Sequence, residues 1–462
     1  MLIHPDRLLP CELGAHTIAK TLYGHVRSLP IISPHGHTQA AWFARNEPFP
    51  DPAKLFVQPD HYIFRMLYSQ GVSLDDLEIG QQELKDPRRA WRVFARHYYL
   101  FRGTPTRMWL DFAFQELFGL HERLSEQTAD LYFDTISEKL RTPAFLPRAL
   151  YQRFNLEVLA TTDSPVDSLA DHKLIRASGW KARIIPTFRP DPVVDPDVEG
   201  FVRNVLVLCE TSGEEASWAG YLNALRKARV RFREMGCTAT DHGHPTAQTA
   251  NLPLGQAAEL FQQVLAGDAT TQRRELFRAQ MLTEMARMSL EDDLVMQIHP
   301  GSIRDHNRKL YEGYGRDLGA DIPTPTNYVG ALRPLLDLYG NERNLRIILF
   351  TLDESTYSRE LAPLAGHYPC LRLGPPWWFH DSPEGMTRFR ECVTETAGFY
   401  NTVGFNDDTR AFFSIPGRHD MARRMDCAFL AKLVADHRLE EDEAIEVAHD
   451  LAYGLVKKSY RL

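Results

Sequence analysis

Eight short apolar runs, each ending in polar residues, recur along this 462-residue chain and constrain its fold more than any other feature. Helical stretches separate most of them, such as residues 222–233 and 257–288. A repeated unit of buried strand and helix predicts parallel strands, and eight such units favour a (β/α)8 barrel over a doubly wound open sheet. The runs are residues 31–32, 157–160, 182–186, 237–240, 294–298, 346–350, 370–373 and 400–405.

The spacing between the first two runs predicts a helical insertion. They lie about 120 residues apart, far beyond an ordinary βα connection. Aromatic residues recur at near-helical period within this stretch, as expected for the core of a small helical subdomain. The predicted organisation is an N-terminal segment with strand one at 1–37, a helical insertion at 38–150, and the rest of the barrel with C-terminal helices at 151–462.

Composition excludes several classes of protein. With 44% hydrophobic and 25% charged residues, the chain is typical of a soluble protein with a large core. A net charge of −8 without a basic stripe argues against a nucleic-acid partner, and no apolar run is long enough to span a membrane. The start of the chain does not resemble a secretory signal. Six scattered cysteines without a CxxC pair indicate a reducing, cytoplasmic location and argue against a thiolate zinc site.

The strongest candidate site begins with His35-Gly36-His37, directly after the first run. Side chains two apart in a strand share a face, so both imidazoles can bind one metal ion. Alone, such a triplet is more often an accident of surface composition. Asp408 strengthens it, because the eighth strand of a closed barrel lies next to the first. His299, after the fifth run, is as consistent with a further ligand as with an ordinary buried histidine.

Other candidate residues also follow strand ends or lie in loops near them. His61 and Tyr62 are usable acid–base groups at the start of the insertion, although an ordinary surface loop is the simpler interpretation. Trp377 and Trp378 follow the seventh run, where they can form a wall against a sugar face or simply cover the barrel end.

Two arginines suit an anionic substrate. Arg189 and Arg410 both follow strand ends, and two guanidinium groups in one cleft can each bind a carboxylate through two hydrogen bonds. For either arginine alone, a salt bridge to a neighbouring acid is the commoner arrangement. Together they favour a carboxylate substrate.

These residues bring the chain into resemblance with a known family, the uronate isomerases of the amidohydrolase superfamily. The resemblance runs almost end to end, and the order and spacing of its motifs are highly specific. The motifs are His35-x-His37, Asp60-His61-Tyr62, Thr161-Thr162-Asp163-x-Pro165-x-Asp167-Ser168-Leu169, Pro186-Thr187-Phe188-Arg189-Pro190-Asp191, Gly236-Cys237-x-x-x-Asp241-His242, Trp377-Trp378-Phe379, Asp408-x-Arg410-x-Phe412 and Arg418-His419.

The chain departs from the family pattern near the site. Gly36 stands where the family usually has cysteine, His380 where asparagine follows the aromatic motif, and Asp407 where threonine is common. Gly417 has the position of an insertion before Arg418. These changes bear on substrate preference and metal affinity more than on reaction class.

The resemblance implies a distorted barrel of the metal-dependent hydrolase type and an aldose–ketose isomerase acting on hexuronates. It implies interconversion of D-glucuronate with D-fructuronate and of D-galacturonate with D-tagaturonate, by proton transfer from C2 to C1 through an enediol. His35, His37 and Asp408 are assigned to a divalent metal, with Zn expected. Asp408, His61, Tyr62 and Arg410 are the catalytic candidates. Arg189, Arg410, Trp377, Trp378 and His299 are the substrate-binding candidates.

Two alternatives from other classes remain at this point. A metal-dependent hydrolase of the same superfamily is disfavoured because the fourth run ends in Thr240-Asp241-His242, without the lysine that bridges two metals. A non-catalytic sugar-acid-binding barrel is disfavoured by the joint presence of the histidine pair, Asp408 and two arginines. A small-molecule hexuronate is the expected partner, and a homo-oligomer stays open.

Overall fold

The computed structural model describes residues 2–80 and 85–462. Residue 1 of the predicted N-terminal segment and residues 81–84 of the predicted insertion lie outside this range. The strands in it are β1 (Ile31–Ser33), β2 (Leu156–Asp163), β3 (Arg183–Phe188), β4 (Ala239–His242), β5 (Val295–Ile298), β6 (Ser302–Ile303), β7 (Ile322–Pro323), β8 (Ile347–Leu349) and β9 (Leu371–Leu373).

Seven of the strands form one parallel sheet in the order β1-β2-β3-β4-β5-β8-β9, while β6 and β7 pair with each other as an antiparallel hairpin. Neighbours in the sheet are also successive in the chain, apart from the hairpin, whereas a doubly wound sheet reverses its strand order in the middle. The predicted α/β barrel architecture is therefore confirmed. Because all seven strands run the same way, their polar carboxyl ends lie at one edge.

The eighth apolar run does not form a regular strand. It is joined to β9 by a single bridge between Leu373 and Thr402, and the backbone then turns at Gly404 with a φ of +76°. After the run, Thr409 O accepts the backbone N–H of His37 at 3.0 Å. The segment that follows the eighth run is therefore hydrogen-bonded to the segment that follows β1. The prediction of eight strands is thus wrong at the eighth position, where a left-handed glycine interrupts the extended backbone.

The interior of the curled sheet is a compact apolar cluster. Side chains from six of the strands and from the eighth run meet there, and Val456 and Tyr460 of the C-terminal helix join them. Tyr460 Oη donates to Gln297 Oε1 at 3.0 Å, and Asn406 Nδ2 donates to Tyr460 Oη at 3.5 Å. A helix from the end of the described chain therefore fills part of the barrel core.

Helices surround the sheet and build the segment between β1 and β2. Asp86 before Pro87 and Thr104 before Pro105 accept backbone hydrogen bonds at two helix starts, the preferred use of these residue types. The helices are Leu13–Val26, Ala40–Arg45, His61–Ser69, Pro87–Arg96, Pro105–Phe112, Ala129–Leu140, Pro147–Arg153, Ala170–Ala177, Asp191–Val194, Phe201–Ser212, Trp218–Glu234, Leu254–Ala266, Thr271–Asp292, Arg308–Tyr314, Val329–Tyr339, Ala362–Ala365, Pro383–Ala397, Ile415–Ala435, Glu441–His449 and Leu455–Tyr460.

A second apolar cluster lies between β1 and β2 in the chain and is rich in aromatic rings. Trp91, Phe94 and Phe114 are fully buried in it, and their ring centroids are 5.3–6.2 Å apart with inclined planes. These three rings therefore belong to the core of the segment, whereas Tyr68 and Tyr99 are exposed. Among the helices of the described ranges, none is both long and apolar enough to cross a bilayer.

Candidate active site

A cavity of about 480 Å³ opens at the carboxyl ends of the strands. The ten site residues predicted from the sequence all line it, namely His35, His37, His61, Tyr62, Arg189, His299, Trp377, Trp378, Asp408 and Arg410. The structure thus brings together side chains that are up to 375 positions apart in the chain (410 minus 35).

His35, His37 and Asp408 form a compact group on the cavity floor. Asp408 Oδ1 lies 3.2 Å from His37 Nε2 and 3.5 Å from His35 Nε2. One ligand atom from each of the three residues lies within 4.8 Å of the other two, close enough for a shared metal ion. Thr162 Oγ1 donates to Gly36 O at 2.9 Å, which fixes the backbone between the two histidines.

Local backbone geometry aims the Asp408 carboxylate at the histidines. Its φ is +36°, an unusual left-handed value, and its backbone N–H donates to Asn406 Oδ1 at 3.0 Å. Trp377 Nε1 donates to Asp408 Oδ2. Burial alone would raise the pKa of Asp408, but His37, His35 and the Trp377 donor hold it well below its usual range. Burial lowers the pKa of His37 to about 4, so its imidazole is neutral at neutral pH.

A second carboxylate, Asp241 of β4, is buried next to this floor and contacts the cavity-lining residues His35, His299 and Arg189. Asp241 Oδ1 lies 2.8 Å from His299 Nε2, and Asp241 Oδ2 lies 3.2 Å from Arg189 Nη1 and 3.8 Å from His35 Nε2. Although burial would raise its pKa, these three groups hold the pKa of Asp241 well below the usual range. Arg189 Nε also donates to Asp191 Oδ2 at 3.0 Å, so two buried carboxylates already occupy this guanidinium.

The rim of the cavity carries charges that are less completely paired. Arg410 is about two-fifths exposed, and its nearest carboxylate, Asp317, is 3.9 Å away. The His61 imidazole makes no hydrogen bond with the described part of the chain, and burial together with Arg410 lowers its pKa to about 4. Arg304 and Arg316, from the segment that contains the β6–β7 hairpin, line the same rim.

Tyr62 is locked in place by a buried network. Its hydroxyl donates to Asp381 Oδ1 at 2.6 Å and accepts the backbone N–H of Phe379 at 2.7 Å. Arg418 Nη1 donates to Asp381 Oδ2 at 2.7 Å, while its guanidinium lies 3.5 Å from the centre of the Trp109 ring. Burial and Asp381 hold the pKa of Tyr62 well above its usual range, which keeps the phenol protonated.

The two tryptophans occupy different levels of the cavity. The Trp377 ring lies edge-on to His299 with centroids 4.8 Å apart, on the floor. Trp378 stacks on Phe379 at 4.8 Å and lies 6.3 Å from the His61 ring, near the rim.

Asp241 and Asp163 stand in the family motifs, but the sequence analysis assigned them no role in the site. Asp241 and Asp163 are the polar ends of β4 and β2, the same signal that identified Asp408. Asp163 lines the cavity, accepts Thr161 Oγ1 at 2.6 Å and lies 3.8 Å from His172 Nε2. Burial raises its pKa to about 7, because no cation adjoins it, and burial lowers the pKa of His172 to about 4.

The residues that depart from the family pattern lie in different environments. A Cβ atom at Gly36 would make ordinary contacts, 3.5 Å from Thr409 O and 3.7 Å from Ala160 O. Asp407 is buried and its Oδ2 lies 2.9 Å from His419 Nε2. His380 Nε2 is 2.8 Å from Leu352 O and does not line the cavity.

Comparison with known proteins gives concordant matches over the whole chain. The family model described as glucuronate isomerase matches residues 12–460. A uronate isomerase of Phenylobacterium zucineum is 62% identical over 464 residues, covering 100% of this chain and 97% of the relative. The crystal structure of glucuronate isomerase from Caulobacter crescentus superposes with a TM-score of 0.98 at 59% identity, covering 99% and 97% of the two chains. Uronate isomerase from Thermotoga maritima gives 0.93 at 28% identity, with 100% of both chains covered.

Proposed function

This chain belongs to the uronate isomerase family, and from that premise we propose that it interconverts D-glucuronate with D-fructuronate and D-galacturonate with D-tagaturonate. The observation that carries the proposal is the cavity itself. Two histidines and an ionised carboxylate on its floor face a neutral histidine and a weakly paired arginine on its rim. A hexuronate offers a carbonyl end for the floor and a carboxylate end for the rim.

The floor residues fit a divalent metal, with Zn²⁺ proposed. His37 is neutral and Asp408 is ionised, the protonation states that metal ligands need. Asp408 Oδ1 is buried without a hydrogen-bond partner in the described ranges, and it lies next to both imidazoles. A bound cation would polarise the substrate carbonyl and offset negative charge on the enediolate oxygens. His35, His37 and Asp408 would hold it.

His61 is proposed as the proton carrier. Tyr62 is committed to Asp381, and Asp408 is committed to Trp377 and the histidine pair. Only the His61 imidazole is neutral and free of hydrogen bonds among these three. It would take the proton from C2 of the open-chain aldose as the C1–C2 double bond forms and O1 gains a proton. Return of the proton to C1, with loss of the O2 proton, gives the ketose.

The two arginines are proposed to act differently. Arg410 is free to bind the substrate carboxylate or an enediolate oxygen. Arg189 is already paired with Asp191 and Asp241, so it would act mainly by positioning Asp241 beside His299 and His35. Cytoplasmic location and homo-oligomeric assembly stay predictions from the sequence.

The test is turnover of each hexuronate in D2O, followed by NMR. We expect ketose formation from both substrates and some deuterium at C1 of the product, because a base that exchanges with water lets label enter. His61→Gln should lose turnover while keeping the floor metal, and Arg65→Lys, outside the cavity lining, serves as the matched control. No turnover of either hexuronate would overturn the assignment. Undiminished turnover by His61→Gln would remove His61 from the proton path.

A further inference from the structure

A second His-Gly-His triplet, His242-Gly243-His244, closes β4 as His35-Gly36-His37 follows β1. Its two imidazoles converge with Asp191, at the start of the helix after β3, and one ligand atom from each residue lies within 4.8 Å of the others. We propose that His242, His244 and Asp191 form a second site for a divalent transition metal, with Zn²⁺ as the best match to two imidazoles and a carboxylate.

The histidines of this cluster are buried without the partners that buried imidazoles normally have. His242 is 0% and His244 is 2% exposed. Both ring nitrogens of His244 lack a hydrogen-bond partner in residues 2–80 and 85–462. The same is true of Nδ1 of His242. Since buried polar atoms are nearly always paired, unpaired nitrogens on both rings indicate an occupant that supplies the missing bonds.

The hydrogen bond of His242 sets it up as a ligand. Its Nε2 lies 3.0 Å from Thr240 Oγ1. When Nε2 donates this hydrogen bond, Nδ1 carries the lone pair that faces the cluster, the arrangement in which an outer hydrogen bond orients a metal-binding imidazole. His244 presents a lone pair in either tautomer.

Asp191 can serve both the cluster and its neighbours. Its Oδ2 accepts Arg189 Nε at 3.0 Å, whereas Oδ1 accepts only the Gly243 N–H at 3.2 Å. Oδ1 therefore keeps lone-pair capacity for a cation. The Arg189 charge weakens cation binding, so this site is the weaker of the two. Asp195, itself paired with Arg278 at 2.8 Å, adds negative charge near His244.

A metal here would act on the active-site wall rather than on substrate. It would fix Asp191, which holds Arg189. Arg189 lines the cavity, and its Nη1 lies 3.2 Å from Asp241 Oδ2. Three protein ligands leave one tetrahedral position for water. The competing occupant is water alone, which can also bridge imidazoles and a carboxylate.

The test is metal stoichiometry of the full chain loaded with Zn²⁺ and freed of excess, together with anomalous scattering from its crystals. We expect two equivalents per chain in the parent protein, one in His244→Gln and one in His37→Gln. His172→Gln, a buried histidine outside both clusters, is the matched control and should keep two. The anomalous map should show a peak between His242, His244 and Asp191.

The result that overturns the proposal is one equivalent in the parent protein, unchanged in His244→Gln and absent in His37→Gln, with no anomalous peak at the second cluster. Because the anomalous map is measured on the unaltered protein, it remains informative even if a variant folds poorly. Hexuronate turnover measured on the same samples reports the proposed function separately. An active one-metal enzyme would refute only the second site.

Discussion

The two His-Gly-His triplets have the same sequence and opposite surroundings. The His37 side chain is about a fifth exposed and lines the cavity, whereas His244 is buried behind the cavity wall. A Cβ atom at Gly36 would meet only ordinary contacts. At Gly243 it would lie 2.6 Å from Arg189 Nη2 and 2.9 Å from both Asp191 Oδ2 and His299 Cε1.

The difference shows that the neighbouring strand decides what a local motif can do. Beside β1 runs the irregular eighth segment, which leaves space above the histidines and supplies Asp408. Beside β4 lies β3, and Arg189 and Asp191, which follow β3 in the chain, fill the space above Gly243. We therefore expect the first triplet to serve chemistry and the second to serve structure.

The largest effect is expected from Asp408→Asn. The amide keeps the shape but removes the charge that the first triplet faces, so hexuronate turnover should fall by at least about 10²–10³-fold. Elemental analysis should show loss of the floor metal. Asp407→Asn, one residue away and facing His419 instead, is the control and should keep that metal. Full turnover by Asp408→Asn would contradict the expectation that the first triplet serves chemistry and the second serves structure.

The glycines give the most direct test of the surroundings. Gly243→Ala should lower the free energy of unfolding by about 1–3 kcal/mol, because the methyl group displaces closely packed neighbours. Turnover should fall by about 10²-fold if the floor shifts by an ångström. Gly36→Ala should be neutral or stabilise slightly, since its φ is not in the left-handed region. Denaturant unfolding of both variants measures this, and equal destabilisation would contradict it.

The arginines extend the comparison to the walls of the cavity. Lysine cannot bridge both Asp191 and Asp241, so Arg189→Lys should leave one buried carboxylate unpaired and lower both thermal stability and kcat. Arg410→Lys should leave stability unchanged and raise KM by about tenfold, because a rim arginine loses only its planar fork. If Arg189→Lys changes only KM and Arg410→Lys lowers stability and kcat, the proposed division of roles between the two arginines is wrong.

The smallest effect concerns Asp163, which is largely buried, as Asp241 is, but has no adjacent cation. Its pKa is raised to about 7 from 3.8. The folded state then holds a proton that the unfolded chain releases, so this group stabilises below about pH 4 and the benefit is lost as the pH rises through about 7. The slope is at most about 1.4 kcal/mol per pH unit.

Matched variants can isolate that slope. His172, with its pKa lowered to about 4, gives the opposite slope between about pH 4 and 6.5. Relative to the parent protein, Asp163→Asn should gain stability with rising pH, and His172→Gln should lose it. Urea midpoints between pH 4 and 8 provide the measurement, and parallel curves for all three proteins would refute the assignment.

Strand periodicity and strand-end polarity predicted the sheet and the candidate residues that follow strand ends, because both depend on local patterns that a barrel brings to one edge. His61 and Tyr62, in the insertion, became catalytic candidates only through the family resemblance. They did not predict the broken eighth run, which depends on the turn at Gly404. The sequence also could not predict which carboxylates pair with each arginine. Arg189 and Arg410 follow similar signals in sequence, yet tertiary packing pairs the first with two buried carboxylates and leaves the second weakly paired on the rim.

The C-terminal helix that fills the barrel core has a consequence for biosynthesis. His35 and His37 are translated early, but Tyr460 reaches Gln297 and Asn406, the residue that holds the Asp408 backbone, only after nearly all of this sequence has been made. Until then the barrel core lacks the side chains of this helix, and we expect the incomplete barrel to be open to chaperones and proteases. Ribosome-bound chains that stop short of residue 455 should therefore be inactive and protease-sensitive, whatever their content of finished strands.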